Sequence, residues 1–310
     1  MISILTNCTN RKRGSVTPGL VMGSLNTDSI DNVARQWIHC LEQASSVNPA
    51  KEVYCGRGFR EAVASASLLN CRLLIVSAGL GIVSSDQFIP VYNLTSAPGT
   101  QDSITNKITG DFSAKDWWSR VSRGNPFGSS LLEVLEKHLD GLILIALSRP
   151  YLELLQDELI NFPTIHRHRL RFFGKLGSVI PDSLVENWMP YDDRLDSAGP
   201  GYSGTQTDFA QRALRHFVTE LLNTHENGNA CSHSSLVKKS LSSLSRREIP
   251  KRQRLSDVEI SALIFDNWGH GEGKSSKLLR IVRHELGIAC EQSRFNVIYR
   301  TIKKKMEVTV

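Results

Sequence analysis

Three short apolar runs, at 2–6, 73–76 and 141–147, each break off at a polar loop. Such runs, bounded by turn residues, read as buried strands. Elsewhere the period changes to that of a helix. Val33, Trp37, Cys40, Leu41 and Ala44 recur at helical spacing and predict a helix over 30–44. Phe59, Val63, Ala66 and Asn70 share a face after the loop at 54–58. Helices are also predicted over 130–138, 151–160 and 207–222, the last with Ala210, Ala213, Leu214, Phe217 and Leu221 on one face. The runs 170–176 and 184–189 are candidate strands. Residues 96–130 are polar and punctuated by Gly and Pro around Trp117 and Trp118, so they read as a long loop. Apolar strands alternating with helices predict an α/β fold, with a parallel or mixed sheet covered by helices on both faces.

The pattern then changes. Residues 224–254 are rich in Ser, Asn, Lys and Arg, with few large apolar residues after Val237, and read as a basic flexible linker. Beyond it, Ser256 and Asp257 can cap a helix carrying Ile260, Leu263, Ile264 and Trp268. Leu279, Val282 and Leu286 mark a second helix, Gly287 a tight turn, and Phe295, Ile298 and Ile302 a third. Helix, glycine turn, helix is the helix-turn-helix pattern. The plan is an α/β domain over 1–223, a linker over 224–254 and a small helical domain over 255–310. A helical oligomerisation module with a solvated basic face is the bland alternative for the last.

Charge sharpens this division. The 310 residues carry 37 Lys+Arg and 31 Asp+Glu, a formal charge of +6. Residues 238–310 hold 16 Lys+Arg and 8 Asp+Glu, whereas the first 237 hold 21 and 23. A −2 body with a +8 tail suggests a nucleic-acid-seeking appendage. With 40% hydrophobic and 22% charged residues, the composition excludes a mostly disordered or collagen-like chain. The start, MISILTNCTNRKR, has a short apolar run before basic residues, the reverse of a signal peptide. No stretch approaches 18 apolar residues, so no membrane partner is expected. Cys8, Cys40, Cys55, Cys71, Cys231 and Cys290 form no CxxC pair and read as cytosolic thiols, which suggests a cytoplasmic protein. Cys231 with His233, and His166 with His168, are too few ligands for zinc, so neither metal nor cofactor is expected.

Two phosphate-loop patterns fail on inspection. The stretch Gly269 to Ser276 follows a helix and has Trp268 where GxxxxGK[ST] needs glycine. Gly199, Gly201 and Gly204 satisfy GxGxxG but lack a preceding strand and a downstream acid. Ser203 and Thr205 there could hold a backbone phosphate or act as a plain cap. The stronger signal is three strand ends. One delivers Cys8, Thr9, Asn10, Arg11, Lys12 and Arg13. The second delivers Ser77, Gly79 and Gly81, then Ser84, Ser85 and Asp86, then Tyr92. The third delivers Ser148, Arg149 and Pro150. Ligands of open α/β sheets bind beyond the carboxyl ends of strands.

The segments CTNRKR, EVYCGRGFREAVASA and LLIVSAGLGIVSSDQFIPVYNLT resemble a group of bacterial domains. In that group a Cys-Ser/Thr-basic loop precedes an SAxxGLVxxDxxIxxYdlT segment. The group is similar to a domain accompanying archaeal tRNA-guanine transglycosylases and archaeosine synthases, and to the peroxide-stress family of DNA-binding proteins. All look like distant branches of the uracil-DNA-glycosylase-like superfamily. The resemblance spans roughly 1–220, with its specific motifs in 4–13 and 54–95.

The resemblance implies a glycosylase-like domain with Asn10 positioned to orient water and Ser148, Arg149 and Pro150 as a phosphate-pinching loop. The first loop has no Pro-aromatic element and the later loop no His, which implies a base other than uracil. The implied activity is a DNA glycosylase that flips a modified base, cleaves its N-glycosidic bond and leaves an abasic site. The implied setting is antiviral defence against phage DNA carrying bases such as glucosylated hydroxymethylcytosine, with double-stranded DNA as partner. Asn10 and Asp86 are the expected catalytic pair, the anion stabilising an oxocarbenium-like sugar. Cys8, Thr9, Ser77, Gly79, Gly81 and Tyr92 are expected to line the base and sugar pocket. Arg11, Lys12, Ser148, Arg149, Ser203 and Thr205 are expected on phosphates, with Lys274, Lys277, Arg294, Arg300, Lys303 and Lys304 of the helical unit. A base-exchange or accessory protein of deazaguanine modification, and a non-catalytic DNA-binding regulator, are the alternatives.

Overall fold

The computed structural model describes residues 2–46, 48–97, 99–138, 141–175, 179–222, 227–246 and 251–308. They fall into two compact units, Met1–Arg247 and Glu248–Val310. In the first unit β1 (Ser3–Asn7) leads to α1 (Ile30–Glu42), β2 (Asn48–Pro49), α2 (Ala50–Val53) and α3 (Arg57–Leu68). β3 (Arg72–Ser77), β4 (Gly81–Ser84), β5 (Phe88–Ile89), α4 (Ala114–Gly124) and α5 (Leu131–His138) follow. The rest is β6 (Ile143–Ala146), α6 (Arg149–Leu154), α7 (Gln156–Ile160), β7 (Leu170–Phe173), α8 (Phe209–His216) and α9 (Ala230–Ser242).

Five strands form one mixed sheet in the order β4-β3-β1-β6-β7, in which only β4 runs antiparallel, returning beside β3. Central parallel strands are buried on both faces, which is why β1, β3 and β6 read as apolar runs. Their side chains alternate. Leu5, Ile143, Ile145 and Phe172 enter the core shared with α1, α4 and α6, whereas Ile4, Leu144, Ala146 and Phe173 enter the core shared with α3, α8 and α9. This is the helix-covered α/β sheet that the pattern predicts. The predicted strand at 170–176 forms over Leu170–Phe173, and residue 176 lies outside the described residues.

Three stretches depart from the sequence reading. The loop predicted at 96–130 carries α4, capped by Ser113. Adjacent residues on a helix point about 100° apart, so the two tryptophans bury in different directions. Trp117 Nε1–H donates to the Ala78 carbonyl at 2.7 Å, and Trp118 Nε1–H to the Glu158 carboxylate at 2.5 Å. Their adjacency hid the helical period. The strand predicted at 184–189 is instead mostly a short 3-10 helix, Asp182–Asn187, started by Pro181. Trp188 then makes one bridge to Phe172, whose carbonyl accepts Met189 N–H at 2.9 Å. A matching bridge joins Ile82 of β4 to Ser129.

The linker predicted at 224–254 holds α9. Asn229 caps it by accepting Ser232 N–H at 2.8 Å. His233, Val237 and Leu241, one turn apart, are fully buried in the first unit. The buried Arg171 guanidinium fastens its start, donating to His233 Nδ1 at 2.8 Å and to the Gly228 carbonyl at 2.9 Å. Burial pushes that guanidinium down to about 10. The α/β domain therefore extends well past residue 223.

The second unit holds β8 (Gln253–Arg254), α10 (Asp257–Asp266), α11 (Ser275–Arg280), β9 (Ile288–Ala289) and α12 (Gln292–Val308). Ser256 and Glu259 form a capping box on α10. Ile260, Ile264, Leu278, Val282, Phe295 and Ile302 share its core. Trp268 lies beyond α10 and stacks on Tyr299, and Gly287 turns the chain at φ +67°. With the boundary at residue 248, this unit carries 12 Lys+Arg and 8 Asp+Glu, and the first unit 25 and 23. The −2 and +8 division becomes +2 and +4, because Lys238, Lys239, Arg246 and Arg247 belong to the first unit.

Candidate functional site

Parallel pairing sends the loops after β1 and β3 out side by side, and Cys8 N–H donates to the Val76 carbonyl at 2.9 Å. The buried Cys8 thiol meets the Tyr151 hydroxyl at 3.1 Å and the Tyr92 hydroxyl at 3.9 Å. Ser77 Oγ accepts Gly79 N–H at 3.2 Å and Leu80 N–H at 3.0 Å, which leaves its own proton for the Tyr92 oxygen at 2.5 Å. Tyr92 continues to the Tyr54 hydroxyl at 2.9 Å. Gly79 permits this approach, since a Cβ there would lie 2.9 Å from the Tyr92 ring. Gly81 turns the chain into β4 at φ +77°, a conformation that favours glycine. Cys8, Ser77, Gly79 and Tyr92 thus meet, but as a buried layer: none of them lines either of the two clefts described below, where a pocket for base and sugar was expected. Thr9 does not join them: its hydroxyl donates to the Arg11 carbonyl at 2.8 Å and accepts Cys55 N–H at 3.2 Å, closing the loop.

Burial pushes the Tyr54, Tyr92 and Tyr151 phenols above their usual range, and any charge on Cys8 adds to the effect. The unfolded phenols ionise near pH 10, so above that pH the unfolded state binds fewer protons and stability falls as pH rises. Alkaline titration is expected to release these phenolates together with loss of tryptophan fluorescence. Independent ionisation of all 6 tyrosines near pH 10 in a still-folded protein would contradict this burial.

Lys12 connects the hydroxyl layer to a polar cleft. The loop carrying it is pinned by a bridge from Lys12 to Tyr54 and by Arg13 N–H on the Val53 carbonyl at 2.8 Å. Lys12 Nζ lies 4.2 Å from the centre of the Tyr92 ring. Its side chain, with Asn10, Asn93, Leu94, Thr95, Thr100 and Asp102, lines a cleft of about 170 Å³. Asp102 is held by Gly23 N–H at 3.3 Å. Burial pushes the Lys12 ammonium below its usual range, while Cys8, Asp102 and Cys55 pull the other way. An amide, an amine, a carboxylate and hydroxyls therefore converge on one small volume.

Asp86 is not among them. β4 runs back along β3, so Ser85 N–H reaches the Leu73 carbonyl, at the opposite end of the sheet from Cys8. Asp86 there is exposed and pairs with Lys51 at 2.6 Å. Asp102 is the acid beside Asn10.

The expected phosphate contacts divide. Arg11 is exposed and does not line the cleft, whereas Lys12 does. Ser148 N–H donates to Asn7 Oδ1 at 3.2 Å, and Gln211 Nε2 donates to the same oxygen at 2.9 Å, tying the ends of β1 and β6 together. Arg149 pairs with Glu153 at 2.8 Å and lines a second, open cleft of about 570 Å³ with Lys115 and Gln156. Thr205 is a cap: the Asp208 carboxylate accepts its N–H at 2.8 Å, where a phosphate would have to sit. Ser203 is half-buried beside it. In the second unit Lys274 and Lys277 both bind Glu272, and Arg294 binds Asp257 at 2.6 Å. Arg300, Lys303 and Lys304 are exposed on α12.

Sequence reasoning missed Tyr54, Cys55, Tyr151 and Asp102. Tyr54 and Cys55 lie in the segment EVYCGRGFREAVASA and Tyr151 follows Pro150 directly, so position relative to a strand end was the available signal. Asp102 had none, standing in a polar stretch. Among the described residues, no three His, Cys, Asp or Glu side chains gather where they could hold a metal ion. No helix among them is long and apolar enough to cross a membrane. No protein-family model matches this chain, and comparison with curated proteins and with solved structures returns no match.

Proposed function

We propose that the chain is a DNA glycosylase that flips a modified base out of double-stranded DNA, cleaves its N-glycosidic bond and leaves an abasic site. The proposed role is defence against phages with modified DNA, glucosylated hydroxymethylcytosine being the first base to test. The observation that carries this reading is the polar cleft beside the β1 loop, where Asn10, Lys12 and Asp102 stand together. Cleavage builds positive charge on the sugar and negative charge on the departing base. A carboxylate such as Asp102 favours the former, and amide or hydroxyl donors such as Asn93 and Thr95 favour the latter. Asn10 would orient the attacking water. The exposed Arg11 and Arg149 of the second cleft would meet phosphates of a flipped strand.

The test is incubation of the full chain with unmodified, uracil-containing, deazaguanine-containing and glucosylated phage DNA, scored for abasic sites and released base. If all four remain intact, the enzyme reading fails. Incorporation of labelled base without an abasic product selects base exchange. DNA binding that is indifferent to Asn10→Ala, with no chemistry, selects a regulator.

In the same reading α12 of the second unit grips phosphates, as a helix-turn-helix would. Replacing Arg300, Lys303 and Lys304 together by Gln should lower the slope of log affinity against log salt by about 2–3, at roughly 0.9 per lost contact. Excision at saturating DNA should be unchanged. An unaltered salt slope would remove α12 from the interface.

A further inference from the structure

We propose that Lys12 is a nucleophile toward the aldehyde of an abasic deoxyribose, so that the protein nicks the product of its own excision. This rests on the glycosylase reading above. The side chain lines the cleft with Asn10 and Asp102. Among the described residues its amine makes no hydrogen bond and no ion pair, only the contact with the Tyr92 ring. Lys51, Lys115, Lys274 and Lys277 are instead held by carboxylates, and what sets Lys12 apart from the remaining lysines is its place inside the cleft. An exposed lysine for phosphate contact needs neither a half-buried position nor a carboxylate across the same cleft. An amine that must shed its proton gains from burial, which favours the neutral form.

The chemistry balances with the groups present. Once base release leaves the sugar in its open form, Lys12 Nζ adds to C1′ and the carbinolamine loses water to give an iminium. The Asp102 carboxylate takes a proton from C2′. Electrons of that C–H bond move toward the iminium, and the C3′–O3′ bond breaks with its pair leaving on the phosphate. Water then hydrolyses the imine, releasing the unsaturated aldehyde end and restoring the amine. The water lost in condensation equals the water consumed in hydrolysis, and no oxidant or reductant takes part.

A duplex with one pre-formed abasic site bypasses base excision and tests this step alone. Full-length protein mixed with it and sodium borohydride should yield a covalent complex, with the reduced adduct mapped to Lys12 by mass spectrometry. Without borohydride the strand should be nicked on the 3′ side of the site. Lys12→Arg keeps a cation but cannot form the imine under these conditions; it should lose adduct and nicking by at least about 100-fold while binding the duplex within about threefold. Asp102→Asn should retain the adduct yet nick slowly. No adduct with the wild type, an adduct on another lysine, or undiminished adduct in Lys12→Arg each overturns the proposal. Base release from modified DNA with no adduct refutes the lyase step and spares the glycosylase reading. An adduct with every modified duplex left intact does the reverse.

Discussion

Asp102→Asn is expected to lower base release from the modified duplex that the wild type cleaves by about 10²–10³-fold, with DNA affinity unchanged. The substitution is isosteric, so the oxygen that accepts Gly23 N–H can remain in place. What disappears is the negative charge beside Asn10 and Lys12 in a cleft of about 170 Å³. Charge that matters only as the glycosidic bond breaks lowers the rate and leaves ground-state binding untouched. Asp86→Asn is the control. Its carboxylate is held below the usual range by the Lys51 ammonium out in solvent, at the far end of the sheet, and its loss should leave excision intact. Single-turnover rates for both variants decide the matter; an inactive Asp86→Asn with an active Asp102→Asn would reverse the assignment.

Arg212→Leu is expected to destabilise the first unit by about 3–5 kcal/mol, the usual penalty for stripping one partner from a buried charge cluster. Arg212 is 1% exposed. It donates to Asp208 at 2.9 Å, Asp196 at 2.7 Å and the Thr205 carbonyl at 2.8 Å, and also to the Tyr202 carbonyl. Leu preserves much of the bulk but leaves two carboxylates facing an apolar side chain. Gly204 is packed so closely that a Cβ would lie 2.5 Å from Arg212 Nε, so the surrounding backbone has little room to bring in water. Urea unfolding followed by tryptophan fluorescence would measure the loss, because among the described residues all five tryptophans but Trp268 lie in the first unit. A midpoint within error of the wild type would show that the cluster is dispensable.

How far the sequence spoke depended on what each residue packs against. β1, β3 and β6 were legible because a strand buried on both faces must be apolar throughout. Ser77 and Gly79 were legible because the end of β3 delivers them, whereas Tyr92 comes back to them only after β4 and β5. α9 was not, since His233, Val237 and Leu241 are three buried positions among Ser and Lys, and the partner that buries His233 is an arginine on β7. Asp86 and Asp102 are two acids in polar stretches of similar character. Only the antiparallel return of β4, which carries Asp86 away from the strand ends, separates them.

The single bridges at Ile82 and Phe172 have a consequence for self-association. Both outer strands of the sheet end their ladders inside their own chain. On β4, Ile82 exchanges both backbone bonds with Ser129, and Ser84 N–H is taken by the Gln87 side chain. On β7, Phe172 gives its carbonyl to Met189, and the Leu170 carbonyl accepts the Asn187 amide. An open edge invites a strand from another molecule, the first step of domain swapping and of amyloid growth. Here each edge is stoppered by about one residue of loop, so sheet extension would first require peeling away Ser129 or Trp188.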